Sequence, residues 1–294
     1  MPATHKNGRW LITGAHGQLG RELCRLLGQC GTGLDRAHLD ITDADAVSRR
    51  LHFERPDVVV NTAAWTNVDA AEDPVNRRQC FRVNAEAVQF LADACDAVGS
   101  LLVQVSTDYV FGRSQNRQDP YTESDQCEPV NVYGESKLAG EVAAASLSKH
   151  LIVRTSGLYA ASANGPVRGR NFADTMQILG KADRPLRVVT DQHCTPSFVP
   201  DVAEAIVKLV EAGGKGIVHV VNHGQTTWHG FTEELFRQQG IERTVEPIAT
   251  SEYPTPAPRP LYSVLATDRY KEITQQELPP WQTGITRYLE ENSS

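Results

Sequence analysis

The feature that most limits the fold lies near the N-terminus. Trp10-Leu11-Ile12-Thr13 is a short apolar strand, and Gly14-Ala15-His16-Gly17-Gln18-Leu19-Gly20 follows it at once. Residues 21–27 then carry apolar side chains at helical spacing. The turn needs backbone angles that glycine tolerates, and a helix N-terminus offers free N–H groups to a pyrophosphate. The spacing is GxxGxxG rather than the GxGxxG of many dehydrogenases. Alone, such glycines would suit a tight structural turn. Directly after a first strand they predict a dinucleotide cradle, with Gly14, His16, Gly17, Gln18, Leu19 and Gly20 as its residues.

The following segments extend that reading. Thr32-Gly33-Leu34-Asp35 ends a second strand. Asp35 stands about 20 residues past the first glycine, where an acid bonds an adenosine ribose, which favours NAD. Arg36 beside it suits the 2′-phosphate of NADP, so both cofactors stay open. Asp40-Ile41-Thr42-Asp43 has helix-capping chemistry, and Asp40 and Ile41 are equally placed to reach an adenine. Residues 57–61 are a third strand, apolar enough to be buried on both faces. Small residues follow, among them Ala63, Ala64 and Thr66, which let a backbone approach a cofactor. A long helix is expected over 75–98. Asn84 within it either ties the active-site strand to the helix or faces solvent.

Residues 101–141 carry the chemistry. An apolar strand, Leu101-Leu102-Val103-Gln104-Val105, ends in Ser106-Thr107, and a helix opens with Tyr133 and Lys137. Residues four apart share a helix face. A cation beside a phenol favours the phenolate and so eases proton transfer through Tyr133. The hydroxyls of Ser106 and Thr107 are placed to bind the oxygen that gains or loses that proton. This is equipment for interconverting a carbonyl and an alcohol. The same pair also occurs by chance on half-exposed helices, so the dinucleotide cradle is what gives it weight.

Beyond Tyr159 the strand–helix rhythm breaks. Residues 160–169 form a small-residue loop, Asn171-Phe172 opens a helix, and a strand at 216–221 returns to the main sheet. A proline-rich loop at 254–260 and a final helix at 281–289 follow. The expected class is α/β: a Rossmann-type doubly wound parallel sheet with a smaller C-terminal lobe. The dinucleotide domain spans 1–159 with 201–222 returning to it. Residues 160–200 and 223–294 form the substrate lobe, over the edge where an open α/β sheet places its cleft.

Composition removes other classes. The 294 residues carry a formal charge of −7 and no long basic run, against a nucleic-acid or anionic-membrane partner. No apolar run approaches the roughly 20 residues of a membrane span, and the first eight residues lack a signal core. The six cysteines show no CxxC pairing and read as free thiols in a reducing, cytoplasmic setting. No HExxH or other paired ligand spacing appears, so no metal is expected.

With GxxGxxG, the Ser-Thr strand end and YxxxK in order, the chain resembles the extended short-chain dehydrogenase/reductases. Within them it resembles the dTDP-4-dehydrorhamnose reductase family. The similar stretches are Val105-Ser106-Thr107-Asp108-Tyr109-Val110-Phe111, Asn131-Val132-Tyr133-Gly134-Glu135-Ser136-Lys137-Leu138-Ala139-Gly140-Glu141, Asn171-Phe172-Ala173-Asp174-Thr175-Met176, Asp191-Gln192 and Tyr253-Pro254-Thr255-Pro256-Ala257-Pro258-Arg259-Pro260. The resemblance implies a catalytic set of Thr107, Tyr133 and Lys137, with Tyr133 and Lys137 also meeting the cofactor. It implies sugar-nucleotide contacts from Val68, Ser106, Thr107, Tyr109, Asn171 and Arg259. The implied reaction is reduction of the C4 ketone of dTDP-4-dehydro-L-rhamnose to dTDP-L-rhamnose by NADPH, or NADH, the last step of that sugar nucleotide's synthesis. Tyr133 would donate the proton, and Lys137 would hold the nicotinamide ribose and lower the Tyr133 pKa.

Two departures stand out. The family usually reads Arg-Thr-Ser-Trp after the active-site helix; here it is Arg154-Thr155-Ser156-Gly157, and the 160–169 loop is the expected filler of that space. Some members are described as magnesium-bridged dimers. Glu22 could serve such a site, but Pro200 stands where another acid would align. A homodimer stays open. Two rivals have weaker support. Dehydratases of the superfamily place Asp-Glu after the catalytic Thr, whereas Asp108 is followed by Tyr109. A regulatory subunit like that of methionine adenosyltransferase would not need Thr107, Tyr133 and Lys137 intact.

Overall fold

The computed structural model describes residues 8–114, 116–161, 171–182 and 184–293. The loop expected at 160–169 lies outside the described residues from 162 on. Six strands form one parallel sheet: β1 (Trp10–Thr13), β2 (Gly31–Leu34), β3 (Val58–Asn61), β4 (Leu101–Thr107), β5 (His150–Thr155) and β6 (Gly216–His219). Their order is β6-β5-β4-β3-β1-β2. The expected doubly wound α/β fold is thus the one found. The direction of winding reverses between β1 and β3, and such a switch point opens a crevice at the strands' C-terminal ends.

The strands are apolar on both sides because both sheet faces are covered. Successive side chains feed opposite cores. Trp10, Ile12, Val58, Val60 and Val103 pack with helices α1 (Gln18–Leu27) and α7 (Val199–Glu211). Leu11, Val59, Leu102 and Ile152 pack toward α2 (Ala44–Glu54), α4 (Ala87–Val98) and α5 (Val132–Ala145). No described helix is long and apolar enough to cross a membrane. All six cysteines are free.

The helix expected over 75–98 is not uniform. It runs as α3 (Pro74–Phe81), a π-helical turn over Arg82–Glu86, and then α4. The π turn holds Asn84, which is buried rather than solvent-facing. Its amide accepts from the Trp65 N–H at 2.8 Å and donates to the Trp65 carbonyl at 3.1 Å and to Ser136 at 2.9 Å. It therefore ties the loop after β3 to α5, not to the active-site strand. Single π turns of this kind cluster at functional sites.

Beyond β5 the chain builds a second core around Tyr159, Phe198, Phe231, Trp281 and Tyr288. Helices α6 (Phe172–Gly180), α8 (Trp228–Gln239) and α10 (Trp281–Ser293) contribute to it, while α9 (Asp268–Thr274) packs back on the main sheet through Tyr270. His193–Cys194 pairs with Thr226–Thr227 within this lobe, and His193, Cys194 and Trp228 share one cavity with Thr107 at the end of β4.

A buried polar ladder crosses those ends. Thr13 donates to Asn61 at 2.6 Å, Asn61 donates to Gln104 at 2.7 Å, and Gln104 donates to the Val105 carbonyl at 2.8 Å. It joins β1, β3 and β4 beside the crevice. Asn61→Ala would leave the Thr13 hydroxyl and the Gln104 oxygen without that partner, each at a cost of about 1–3 kcal/mol. Urea denaturation is expected to show a loss of about 2–6 kcal/mol. An unchanged midpoint would mean that water replaces the ladder freely.

Candidate active site

The turn after β1 is shaped by close contacts. Gly14 has φ +70°, and a Cβ there would lie 2.7 Å from the Ala63 nitrogen after β3. Only glycine fits both the angle and the space. Gly17 is the N-cap of α1 and offers no side chain to the first-turn N–H groups. Those donors suit an anion. Ala63 and Thr62 border the same turn across the switch point; Ala64, also expected there, is not among the nearest neighbours of Gly14, Gly17 or Gly20. The cradle fits a dinucleotide pyrophosphate on these grounds.

At the end of β2, the Asp35 carboxylate lies between His38 Nδ1 at 2.6 Å and His16 Nδ1 at 3.1 Å. Hydrogen bonds from His38 hold it below the usual carboxylate range. Arg36 reaches Asp40 at 3.4 Å and is largely exposed. Asp40 also accepts from the Thr42 N–H and hydroxyl, and Ile41 is buried in the core beside Leu39 and Leu34. Both residues are thus already engaged by the turn before α2 and by the core beneath it.

A cavity of about 170 Å³ opens at the end of β4. Thr66, Val68, Thr107, Tyr109 and Tyr133 line one side; Gln192, His193, Cys194, Trp228 and Ser263 come from the lobe. Tyr133 is in the first turn of α5, which Asn131 caps by accepting from the Gly134 N–H. Its ring meets that of Tyr109 edge-on at 5.9 Å. Burial raises the Tyr133 phenol pKa, and the Thr107 hydroxyl opposes the rise. Lys137, one turn on, is buried and donates to the Val105 carbonyl at 2.6 Å. Burial brings its pKa down to about 8, with Glu141 acting the other way.

A phenol, a hydroxyl and a buried cation at the mouth of a dinucleotide crevice can protonate a carbonyl oxygen. Residues 8–294 match the family model described as the RmlD substrate binding domain. The chain belongs to the dTDP-4-dehydrorhamnose reductase family. It is 42% identical over 289 residues to a dTDP-4-dehydrorhamnose reductase from Streptomyces griseus, covering 95% of this chain and 92% of that one. A Clostridium acetobutylicum dTDP-4-dehydrorhamnose reductase structure superposes with TM-score 0.90 at 37% identity, covering 97% of this chain and 100% of that one. A Bacillus anthracis counterpart in complex with NADP also has TM-score 0.90, at 35% identity, covering 97% and 99%.

Within this member of the family, the residues expected at the site divide. Thr66, Val68, Thr107, Tyr109 and Tyr133 meet in one cavity. Ser106 does not join them. It neighbours Thr107 in a strand, so its side chain must point the other way. Its hydroxyl donates to the buried Glu141 at 2.6 Å. Asn171 is also spent elsewhere: it caps α6, and its amide donates to the Ala160 carbonyl at 2.8 Å and to Gln18 at 3.3 Å. Arg259 pairs with Asp69 at 2.9 Å and donates to the Ala257 carbonyl at 2.6 Å. Neither Asn171 nor Arg259 lines the cavity. Lys137 is turned to Val105, so Thr107, not Lys137, is the group that offsets the rise at Tyr133. Among the described residues no cluster of three or more His, Cys, Asp or Glu could hold a metal, and Glu22 is paired with Arg25 at 2.6 Å.

Sequence reasoning missed Asp108. Its carboxylate accepts from Ser263 at 2.6 Å, Ser156 at 2.9 Å and Thr107 at 3.1 Å, and so joins β4, the end of β5 and the lobe. Adjacency to Thr107 was the one available signal; Ser263 is 155 residues away. Burial raises the Asp108 pKa to about 6 despite these three donors. Folding therefore favours its protonated form. That contribution is complete below the ordinary carboxylate range and is lost as pH rises through about 6. Asp108→Asn removes the titration. Relative to the parent, the variant should gain about 2 kcal/mol of unfolding free energy between about pH 4.5 and about pH 7.5. Parallel denaturation curves with a constant offset at both pH values would place the Asp108 pKa elsewhere.

Proposed function

We propose that the chain catalyses the reduction of the C4 ketone of dTDP-4-dehydro-L-rhamnose to dTDP-L-rhamnose, the last step of dTDP-rhamnose synthesis, in the cytoplasm. The observation that carries this reading is the meeting of Thr107 and Tyr133 in one cavity at the switch-point crevice, with Lys137 one turn behind. The cofactor is NADPH, with NADH accepted. Arg36 and the histidines flanking Asp35 provide cationic and hydrogen-bonding partners for a 2′-phosphate, and the Bacillus anthracis relative is in complex with NADP. The substrate lobe is made of residues 160–200 and 223–294, except that α9 and Leu278 return to the core of the main sheet.

The Gly14–Gly20 turn would hold the pyrophosphate, and Asp35 and Arg36 would face the adenosine ribose. When bound, the dihydronicotinamide supplies the hydride that the ketone carbon receives. Tyr133 supplies the proton. Burial keeps its phenol protonated, which is the form a donor needs. The ketone oxygen becomes strongly basic as charge develops on it, so transfer from a weak acid is still downhill. Without substrate the Thr107 hydroxyl donates to Asp108 at 3.1 Å. With substrate bound, that O–H turns to donate to the ketone oxygen, where stabilisation lowers the barrier, and Ser156 and Ser263 keep the Asp108 carboxylate hydrogen-bonded. Lys137 remains cationic below about pH 8 and draws negative charge toward the end of β4.

The test is oxidation of NADPH and of NADH with dTDP-4-dehydro-L-rhamnose, beside a panel of other 4-keto sugar nucleotides. Far better turnover of another sugar would overturn the substrate assignment. Tyr133→Phe removes one hydroxyl and little packing. Reduction should fall at least about a hundredfold, as for loss of a general acid, while cofactor affinity persists. Near-normal turnover would take Tyr133 out of the mechanism. Asp35→Ala removes an acid beside the ribose position. The NADPH-to-NADH preference in kcat/KM should rise severalfold, and an unchanged ratio would mean that Asp35 faces away.

A further inference from the structure

Gly157 follows β5 with φ +51°, a conformation L side chains rarely adopt. A Cβ built there would lie 3.1 Å from Cη2 of Trp228 and 3.1 Å from the Pro196 Cα. The space beside residue 157 is therefore taken by an indole from the other lobe. Trp228 is the first residue of α8, whose N-cap, Thr227, accepts from the Gly230 N–H at 3.1 Å. Behind it Phe172 lies 4.5 Å away, ring centre to ring centre, and Phe231 6.4 Å away. The indole is thus braced by the lobe core, yet it lines the same cavity as Thr107 and Tyr133.

We propose that Trp228 is the specificity-determining wall of this cavity, on which the hexose of the sugar nucleotide packs its C–H face. The inference rests on the sugar-nucleotide reading above and names the residue that selects the sugar. A pyranose has an apolar face of C–H groups, and an indole offers a flat apolar surface of matching size. Gly157 is what lets the indole reach the cavity: any side chain there would push against Cη2. The wall comes from the lobe and the reacting groups from the main sheet. Sugar recognition thus depends on how α8 is seated against the end of β5.

The experiment compares dTDP-L-rhamnose with dTDP by titration calorimetry in the presence of NADP, for wild type, Trp228→Leu and Trp228→Phe. Wild type should bind the sugar nucleotide more tightly than dTDP. Trp228→Leu should reduce that ratio about tenfold, within the range of an aromatic contact. Its dTDP affinity should stay within about twofold, and Trp228→Phe should restore most of the ratio. A purely structural role would weaken both ligands together, and that outcome overturns the proposal. So does an unchanged ratio in Trp228→Leu. Should the Leu variant not fold, Trp228→Met decides in its place: a ratio well below wild type with dTDP affinity kept supports the wall, and an equal ratio overturns it. Wild type that binds dTDP without preferring the sugar overturns the wall but leaves the nucleotide site standing. Wild type that binds neither removes the sugar-nucleotide reading itself and the wall with it.

Discussion

In β4, neighbouring side chains must point to opposite faces of the sheet, and the active region depends on that parity. Ser106 turns inward and donates to Glu141. Glu141 also accepts from Arg154 of β5 at 2.7 and 2.9 Å, with both side chains almost fully buried. A buried pair of this kind contributes little net stability, but removing one partner would strand a charge at a cost of about 3–5 kcal/mol. Its effect here is positional. Glu141, Lys137 and Tyr133 are spaced four apart and share one face of α5. Glu141 is fastened to β4 and β5, and Lys137 to the Val105 carbonyl. The next residue along that face, Tyr133, is then carried to the end of β4, where Thr107 turns outward.

The lobe is joined to this arrangement through a second buried acid. Asp108 gathers hydroxyls from Thr107, Ser156 and Ser263. The Thr107 hydroxyl, the end of β5 and the C-terminal segment therefore share one hydrogen-bond centre. Low polarity around it strengthens each bond and also makes the carboxylate harder to ionise. The same burial acts on Tyr133 and Lys137, keeping the phenol protonated and loosening the proton on the amine. Burial thus sets the protonation states as much as any single neighbour does.

The cofactor side is built more by backbone than by side chains. Gly14 brings the turn after β1 against Ala63 after β3, directly at the switch point of the sheet. The Thr13–Asn61–Gln104 ladder lies beneath that contact and holds the same strand ends. Asn84, from its π turn, holds the loop that follows β3. Each of these contacts keeps open a crevice whose walls are small residues and N–H groups.

Local pattern determined a good deal of this protein. Continuous apolar strands, a glycine turn before a helix, and a Tyr and Lys four apart are all properties of short windows. Periodicity and glycine conformational freedom express themselves there without help from the rest of the chain. The doubly wound sheet, the cradle, and the positions of Thr107, Tyr133 and Lys137 were legible for that reason. Tertiary structure decided what depends on distant partners. The strand that placed Ser106 next to Thr107 also turned it away, toward an acid 35 residues on. Asn171 was drawn to Gln18 and Arg259 to Asp69. Asp108 gained its centre from Ser263, and the gap at Gly157 was filled by Trp228 from another lobe. Such contacts join residues tens to hundreds of positions apart, and no spacing within a window encodes them.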